Sequence, residues 1–162
     1  MNDAYLLNPI VFIVQTLFGL YAAVVAMRFL LQWVRADFYN PLSQFVVKVT
    51  TPVLRPLRRV IPGYGGMDLA ALVLLWLLTA VELGILSLVL GAGRSAFLAV
   101  GWAIPEMAEL FINIFLFAVL IRVILSWVNP DPYNPAVSLL AKLTDPLMRP
   151  AQRLIRPIGG LD

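Results

Sequence analysis

The sequence predicts an all-α membrane protein made of two parallel repeats. Each repeat is a span, cytoplasmic amphipathic helices and a second span, with the last span absent from this chain. Of 162 residues, 61% are hydrophobic and 13% charged, against about 45–50% and about 25% in soluble domains. Residues Arg28–Asp68 and Arg122–Asp162 align without a gap, with eighteen of forty-one positions identical. An internal repeat of this kind constrains the architecture before any local prediction.

Three segments reach the ~20 apolar residues that a bilayer-crossing helix needs. They are Pro9–Trp33, Leu69–Leu90 and Pro105–Trp127. The stretch Ala96–Ile104 is apolar but too short to span, so we expect it to be interfacial or to cap the third helix. The N-terminus has no basic region in front of its apolar stretch, which favours a retained span over a signal peptide.

Eleven of the 12 basic residues fall within the two copies. Because cytoplasmic loops carry excess Lys and Arg, we expect both copies in the cytoplasm and the N-terminus outside. The copies then share one orientation, which predicts parallel repeats about an axis along the membrane normal. Repeat 1 covers 1–94, with its amphipathic segment at 37–66, and repeat 2 covers 95–162, with its segment at 131–160. We expect a fourth span after the second copy; the alternative is a three-span protein.

The repeated segment begins where a span meets the headgroups, at a tryptophan suited to that interface. An Asp-x-Tyr-Asn-Pro run follows, in which Asn is suited to the N-cap and Pro to the first position of a helix. An arginine precedes each tryptophan; it could snorkel to the interface or pair with the aspartate of the run. The shared structural motif is Arg28, Trp33, Asp37, Tyr39, Asn40 and Pro41, repeated as Arg122, Trp127, Asp131, Tyr133, Asn134 and Pro135.

Two short amphipathic helices are expected in each copy, the second restarting at Thr51-Pro52 or Asp145-Pro146, because proline disrupts a helix interior. A basic helix with an apolar face predicts a position in the membrane interface. The candidate lipid- or partner-binding residues are Lys48, Arg55, Arg58, Arg59, Lys142, Arg149, Arg153 and Arg156. The competing interpretation is that these charges only fix topology. Nucleic-acid binding is disfavoured, since no stacking platform accompanies the basic residues.

Each copy ends in Gly-Gly-x-Asp, which is typical of a tight turn followed by an N-cap. In the first copy this places Asp68 at the positive end of the next helix. No Walker or dinucleotide pattern surrounds the glycines, so a phosphate loop is not predicted.

Glu82 lies in the middle of the second span, where a carboxylate costs at least ~2.5 kcal/mol. Glu109 and Asn113 enter the third span from the same side, so a polar site with Glu82 and Gln15 is geometrically plausible. The functional hypothesis is an ion or proton site. The structural alternative is hydrogen bonding between helices by a protonated Glu82.

The absence of His and Cys removes the commonest general base and the thiol nucleophile, so an enzyme is the weakest hypothesis and no cofactor or metal is expected. The leading hypothesis is a non-enzymatic membrane scaffold or assembly factor. Its basic helices would engage anionic phospholipid, another membrane protein or a second copy of the chain. The alternative is an oligomeric ion channel or transport component that uses Glu82.

With its spans, W-x-x-x-D-x-Y-N-P, T-x-P-x-x-R-P and G-G-x-D, the chain resembles the YggT family of bacterial inner-membrane proteins, which has plastid relatives. The resemblance implies four spans in two units. It also implies osmotic tolerance or the cell-division neighbourhood for bacterial members, and nucleoid distribution or cytochrome b assembly for plastid ones. It carries over no catalytic residue. The residues of the first copy that match the family signature are Asp37, Tyr39, Asn40, Pro41, Thr50, Pro52, Arg55 and Pro56.

Overall fold

The described part of the chain is helical, which confirms the predicted all-α class. The computed structural model describes residues 4–91, 96–128, 131 and 133–154. Its helices are α1 (Ala4–Trp33), α2 (Pro41–Val60), α3 (Leu69–Val89), α4 (Ala96–Val128) and α5 (Pro135–Leu154). An isolated bridge between Tyr64 and Met67 closes the turn before α3.

Three helices are long and apolar enough to cross a membrane. The candidate spans are Asn8–Trp33, Leu69–Val89 and Leu98–Val128. The first two agree with the predicted spans. The third is longer than predicted because α4 runs on through Pro105 and includes Ala96–Ile104 as its first part. The expected interfacial position of that stretch stays a prediction. The Trp76 indole N–H donates to the Val100 carbonyl at 3.1 Å and ties this stretch to α3.

The prediction of two short helices per copy is wrong, because α2 continues through Pro52 and Pro56, and α5 through Pro146 and Pro150. A proline inside a helix costs about 3 kcal/mol. Tertiary packing offsets that cost in α2, where Val46, Thr50 and Leu54 are buried at four-residue spacing on both sides of Pro52. Burying one such aliphatic side chain contributes about 1.5–3 kcal/mol.

A threonine hydroxyl bonds the helix backbone in the turn before Pro52 and in the turn before Pro146. Thr50 Oγ1 donates to the Val46 carbonyl at 2.7 Å, and Thr144 Oγ1 donates to the Leu140 carbonyl at 2.8 Å. Both threonines are completely buried and occupy matching positions in the two copies. Each buried hydroxyl therefore finds its acceptor within its own helix, where neither water nor a lipid could supply one.

Helix α1 stands at the centre of the packing. Its Ala22, Val25 and Ala26 form one buried cluster with α3 residues such as Ala71 and Leu75, and small side chains of this kind let helix backbones approach closely. Two further clusters contain residues of α5. Leu30 meets Ala118 of α4 and Leu143, and Leu31 meets Val46 of α2 and Leu139. Helices α2 and α5 are thus packed onto the candidate membrane spans.

Candidate lipid- or partner-binding surface

The Asp-x-Tyr-Asn-Pro runs before α2 and before α5 fold in the same way. Asp37 Oδ1 accepts from the Tyr39 amide, and Asp131 Oδ1 accepts from the Tyr133 amide, each at 2.9 Å. The next residue is the helix cap. Asn40 Oδ1 accepts from the Leu42 amide and Asn134 Oδ1 from the Ala136 amide, again at 2.9 Å. The predicted helix starts at the Asn-Pro pairs are therefore confirmed.

Asn40 also contacts the second copy. Its Nδ2 donates to the Pro135 carbonyl at 2.7 Å and lies 3.5 Å from Ser138 Oγ. Asn40 is buried, whereas its twin Asn134 is exposed. This bond therefore fixes the start of α2 against the start of α5. Among the described residues, Asn134 makes no equivalent bond to the first copy.

The surface of α2 has three parts. One side, including Ser43, Thr50 and Leu54, is buried against the bundle. Beside it lies an apolar stripe that remains exposed, formed by Leu42, Phe45, Val49 and Val53. On the remaining side lies a basic stripe, whose exposed members are Lys48, Arg55 and Arg59. An apolar face beside a basic one on a helix that adjoins membrane spans is the arrangement of interfacial helices.

The eight predicted binding residues differ in whether they form ion pairs within the chain. Arg58 pairs with the carboxylate of the buried Asp68, and Arg149 pairs with Asp145 at 2.9 Å. Within residues 4–91, 96–128 and 133–150, the remaining basic candidates form no ion pair; these are Lys48, Arg55, Arg59 and Lys142. The side chain of Arg153, and all of Arg156, lie outside the described residues.

The end of the first copy confirms its predicted cap. Asp68 precedes α3, and its Oδ1 accepts from the Ala71 amide at 3.3 Å. The side chain of Asp68 is only 4% exposed, so its charge needs a partner. Arg58 supplies that partner and thereby links the end of α2 to the beginning of α3.

The two motif arginines have different surroundings, and neither pairs with the predicted aspartate among the described residues. Arg122 Nη1 bonds Asp145 Oδ1 at 3.0 Å, Thr144 Oγ1 at 2.6 Å and the Ala141 carbonyl at 3.2 Å. Asp131 is instead used in its own turn. Arg28, the twin of Arg122, has a buried Nε without a hydrogen-bond partner.

Charge and hydrogen bonding shape the ionisation of Asp145. Burial by itself raises the pKa of Asp145, but the hydrogen bonds and charges of Arg122 and Arg149 outweigh burial and lower it below its ordinary value. The carboxylate is therefore held in its charged form as a link between α4 and α5.

The aromatic residues of the motif lie at the surface. Tyr39 and Tyr133 are 84% and 91% exposed, and Trp33 and Trp127 are exposed as well. Side chains with an apolar ring and a polar tip are enriched where a membrane meets water. Their positions, directly between the spans and the amphipathic helices, fit a location at that boundary.

The predicted intramembrane polar site is not assembled by contacts in the described part of the chain. Glu82 is half-buried, whereas Gln15, Glu109 and Asn113 are all exposed, and no hydrogen bond among the described residues joins any of them to Glu82.

A model of the family described as CCB3/YggT matches residues 7–89 and 101–162. The chain belongs to this family. An uncharacterized protein of Pseudomonas aeruginosa is 48% identical to it over 154 residues, covering 94% of the chain and 78% of that protein. An uncharacterized YggT protein of Escherichia coli K12 is 39% identical over 158 residues, covering 96% of the chain and 81% of that protein. No solved structure matches the chain.

Two side-chain pairings in this YggT-family chain were not predicted from the sequence. The first is the pairing of Arg122 with Thr144 and Asp145. The second is the pairing of Arg58 with Asp68. A signal was available for Thr144, since both copies keep threonine at that position. No comparable signal marked Asp145, because the first copy has Thr51 there.

Proposed function

We propose that this protein is a non-enzymatic integral scaffold or assembly factor of the bacterial inner membrane. Its two parallel repeats would place α2 and α5 at the cytoplasmic face, where they engage anionic phospholipid or a partner protein. We assign the scaffold to osmotic tolerance or to cell-division and envelope organisation, the roles that the family resemblance implies. The observation that carries the proposal is the exposed apolar stripe of α2 beside its basic stripe.

The apolar stripe supports a location in the interface. Phe45 is 60% exposed and Val49 37% exposed, although both belong to a helix whose other apolar side is packed on the bundle. In water these side chains would gain nothing from that position, whereas burial in the acyl region contributes about 25 cal/mol per Å². Four such residues in line favour a lipid or a partner protein over free solvent.

The basic stripe supports an anionic counterpart. Lys48, Arg55 and Arg59 lie on one side of α2, and Lys142 and Arg149 occupy the matching positions of α5. Each Lys or Arg close to an anionic membrane surface contributes about 1 kcal/mol. Because the stripe is exposed, that attraction should weaken as salt is added.

The chain contains no cysteine, so single cysteines for spin labels can be placed without removing any native residue. We expect a label at position 49 to be accessible to oxygen, which concentrates in hydrocarbon, and a label at position 55 to be accessible to a water-soluble nickel complex. The experiment uses the full chain in vesicles containing phosphatidylglycerol. Equal exposure of both labels to the nickel complex would reject the interfacial location of α2.

The alternative function is an oligomeric ion channel or transport component. Glu82 favours it, as a half-buried carboxylate in a candidate span. The exposure of Glu109 and Asn113 argues against a pathway inside one chain. Ion flux in liposomes that disappears on Glu82→Gln would replace the scaffold proposal, whereas an absence of flux from the unmutated chain would retain it.

A further inference from the structure

A cavity of about 290 Å³ lies between the end of α1 and the first half of α2. Its polar lining residues are Arg28, Gln32, Arg35 and Ser43. The other lining residues are Leu31, Ala36, Phe38, Val46 and Val47. The wall therefore combines two cations and an apolar surface, and no carboxylate lines it.

Two buried polar atoms of this wall have no hydrogen-bond partner in the described part of the chain. They are Nε of Arg28 and Oγ of Ser43. Ser43 is only 4% exposed, so water in bulk cannot satisfy its hydroxyl. Native proteins rarely leave buried donors unused, and each such group calls for an explanation. Both residues line the cavity, so the two unused donors lie beside the space that an anionic ligand would occupy.

The second copy shows how the same arginine is satisfied without a ligand. There Arg122 bonds Asp145 and Thr144. The position of Asp145 is taken in the first copy by Thr51, whose hydroxyl donates to the carbonyl of Val47. The first copy has thus kept the arginine without its carboxylate.

Two further differences between the copies add donors to the same cavity. Ser43 stands where the second copy has Val137, and Arg35 stands where it has Asn129; Asn129 lies outside the described residues. The substitutions change an apolar and an amide side chain into a hydroxyl and a guanidinium. Together with Thr51 in place of Asp145, they give the first copy two more positive charges than the second over these three positions.

Arg35 occupies a backbone conformation that arginine rarely adopts. Its φ is 51°, in the left-handed region that costs a non-glycine residue roughly 1–2 kcal/mol. The Ala36 amide donates to the Leu31 carbonyl at 2.8 Å, and the Arg35 amide donates to the Gln32 carbonyl at 3.1 Å, the bonds of a Schellman motif. Glycine or asparagine is usual at this position, so the arginine is retained at a conformational cost. Strain of this kind clusters at ligand sites.

Nearby carboxylates do not account for Arg28. Asp68 is close enough to act electrostatically on Arg28, but its oxygens are engaged by Arg58 and by the Ala71 amide. Asp37 accepts from the Tyr39 amide. Neither forms an ion pair with Arg28 within the described ranges, so no carboxylate there neutralises Arg28 by direct contact.

We propose that this cavity binds the phosphate group of an anionic phospholipid. Arg28 and Arg35 would pair with the phosphate oxygens, and Ser43 would donate to one of them, because guanidinium and hydroxyl donors are the usual partners of phosphate. The apolar wall formed by Leu31, Phe38 and Val46 suits the glycerol and upper acyl region. Its lining residues Leu31 and Gln32 belong to the last turn of a candidate span, where headgroups would be found. This site differs from the basic stripe, and either can exist without the other.

The test measures lipid retention by native mass spectrometry of the full chain, purified in detergent and equilibrated with phosphatidylglycerol or phosphatidylcholine. Two variants convert the site toward the second copy: Arg35→Asn removes a cation, and Thr51→Asp supplies Arg28 with an internal carboxylate. Each should reduce retained phosphatidylglycerol about tenfold, the factor expected for one lost charge-assisted bond. Arg94→Asn removes the same charge at a position that belongs to neither copy and should leave retention within about twofold.

Equal phosphatidylglycerol retention by the unmutated chain and both cavity variants would overturn the proposal and assign the lipid to general adsorption. Retention of phosphatidylcholine by the unmutated chain equal to its retention of phosphatidylglycerol would overturn the proposal too. A second arm measures thermal melting with inorganic phosphate against chloride at the same ionic strength. Suppose that phosphate stabilises the chain, that Arg35→Asn abolishes this stabilisation, and that no phosphatidylglycerol is retained. That result would reject a phospholipid as the ligand of the cavity and would assign free phosphate to it. Melting without ligand should be unchanged or raised in both variants, since each adopts a residue that the second copy already uses.

Discussion

The link between α4 and α5 gives the most quantitative prediction. Asp145→Asn keeps the shape of the side chain but removes its charge. The bond from Arg122 Nη1, 3.0 Å long, then loses its charged acceptor and keeps only its charged donor, which should remove about 1 kcal/mol of the roughly 1.5–3 kcal/mol that a bond to a charged group contributes. The exposed i,i+4 pair with Arg149 adds about 0.3–0.5 kcal/mol. The expected loss of unfolding free energy is therefore about 1–2 kcal/mol.

A loss of this size should lower the melting temperature by about 2–8 °C in a chain of this length. The assay is tryptophan fluorescence during heating of the full chain in detergent. Arg149→Ala is the matched control, because its side chain is 72% exposed and its removal should cost under 1 kcal/mol. A melting temperature that Asp145→Asn leaves unchanged, or that falls further in Arg149→Ala, would refute the assignment of the link to Arg122.

The same carboxylate gives a pH dependence with a defined sign. The pKa of Asp145 is lowered in the folded chain from its ordinary value of 3.8, so the folded state holds this proton less tightly than the unfolded state does. Its contribution to stability is complete above pH 3.8 and is lost as pH falls through the lower, folded pKa. Melting curves of Asp145→Asn should therefore approach those of the unmutated chain at acidic pH, and a constant difference would contradict the linkage.

Two further predictions use matched positions as controls. Asn40→Ala removes a buried cap and its bond to the second copy and should cost about 1–2 kcal/mol of unfolding free energy. Asn134→Ala removes an exposed cap only and should cost less. Equal shifts in melting temperature would show that the bond to α5 contributes nothing. Arg58→Ala leaves the buried Asp68 carboxylate without its cation and should cost about 1–3 kcal/mol of unfolding free energy. Arg59→Ala on the basic stripe should change that free energy by no more than about 0.5 kcal/mol. Urea unfolding measures both, and a larger loss in Arg59→Ala than in Arg58→Ala would contradict the role of the Arg58 pair.

Local rules predicted the helix starts and the first two spans well. Asn40 and Asp68 are caps because their side-chain oxygens reach an amide two or three residues ahead, and such contacts depend on a few neighbouring residues. The same locality explains the error at Pro52. Its cost is visible in the sequence, but the burial of Thr50 and Leu54 against other helices is not, and that burial keeps α2 in one piece.

The partner of Arg122 was beyond such rules. Asp131 and Asp145 are both near enough along the chain to reach it, and only the folded chain shows that Asp131 is used by its own turn. The polar site around Glu82 failed for a related reason. Helical spacing places Glu109 and Asn113 on one face of α4, but it does not say whether that face meets α3, and both residues are exposed.

The bond from Asn40 to α5 has a consequence for how the two copies can diverge. Duplication begins with interchangeable halves, in which a substitution has the same effect at either of two matching positions. Once one asparagine bonds the other half and its twin does not, this equivalence ends. Position 134 can accept any residue that caps a helix, such as Asp, Ser or Thr, whereas position 40 needs a cap that also carries an N–H donor. The same residue in two copies is thus under two different selective constraints, and a survey of tolerated substitutions should separate them.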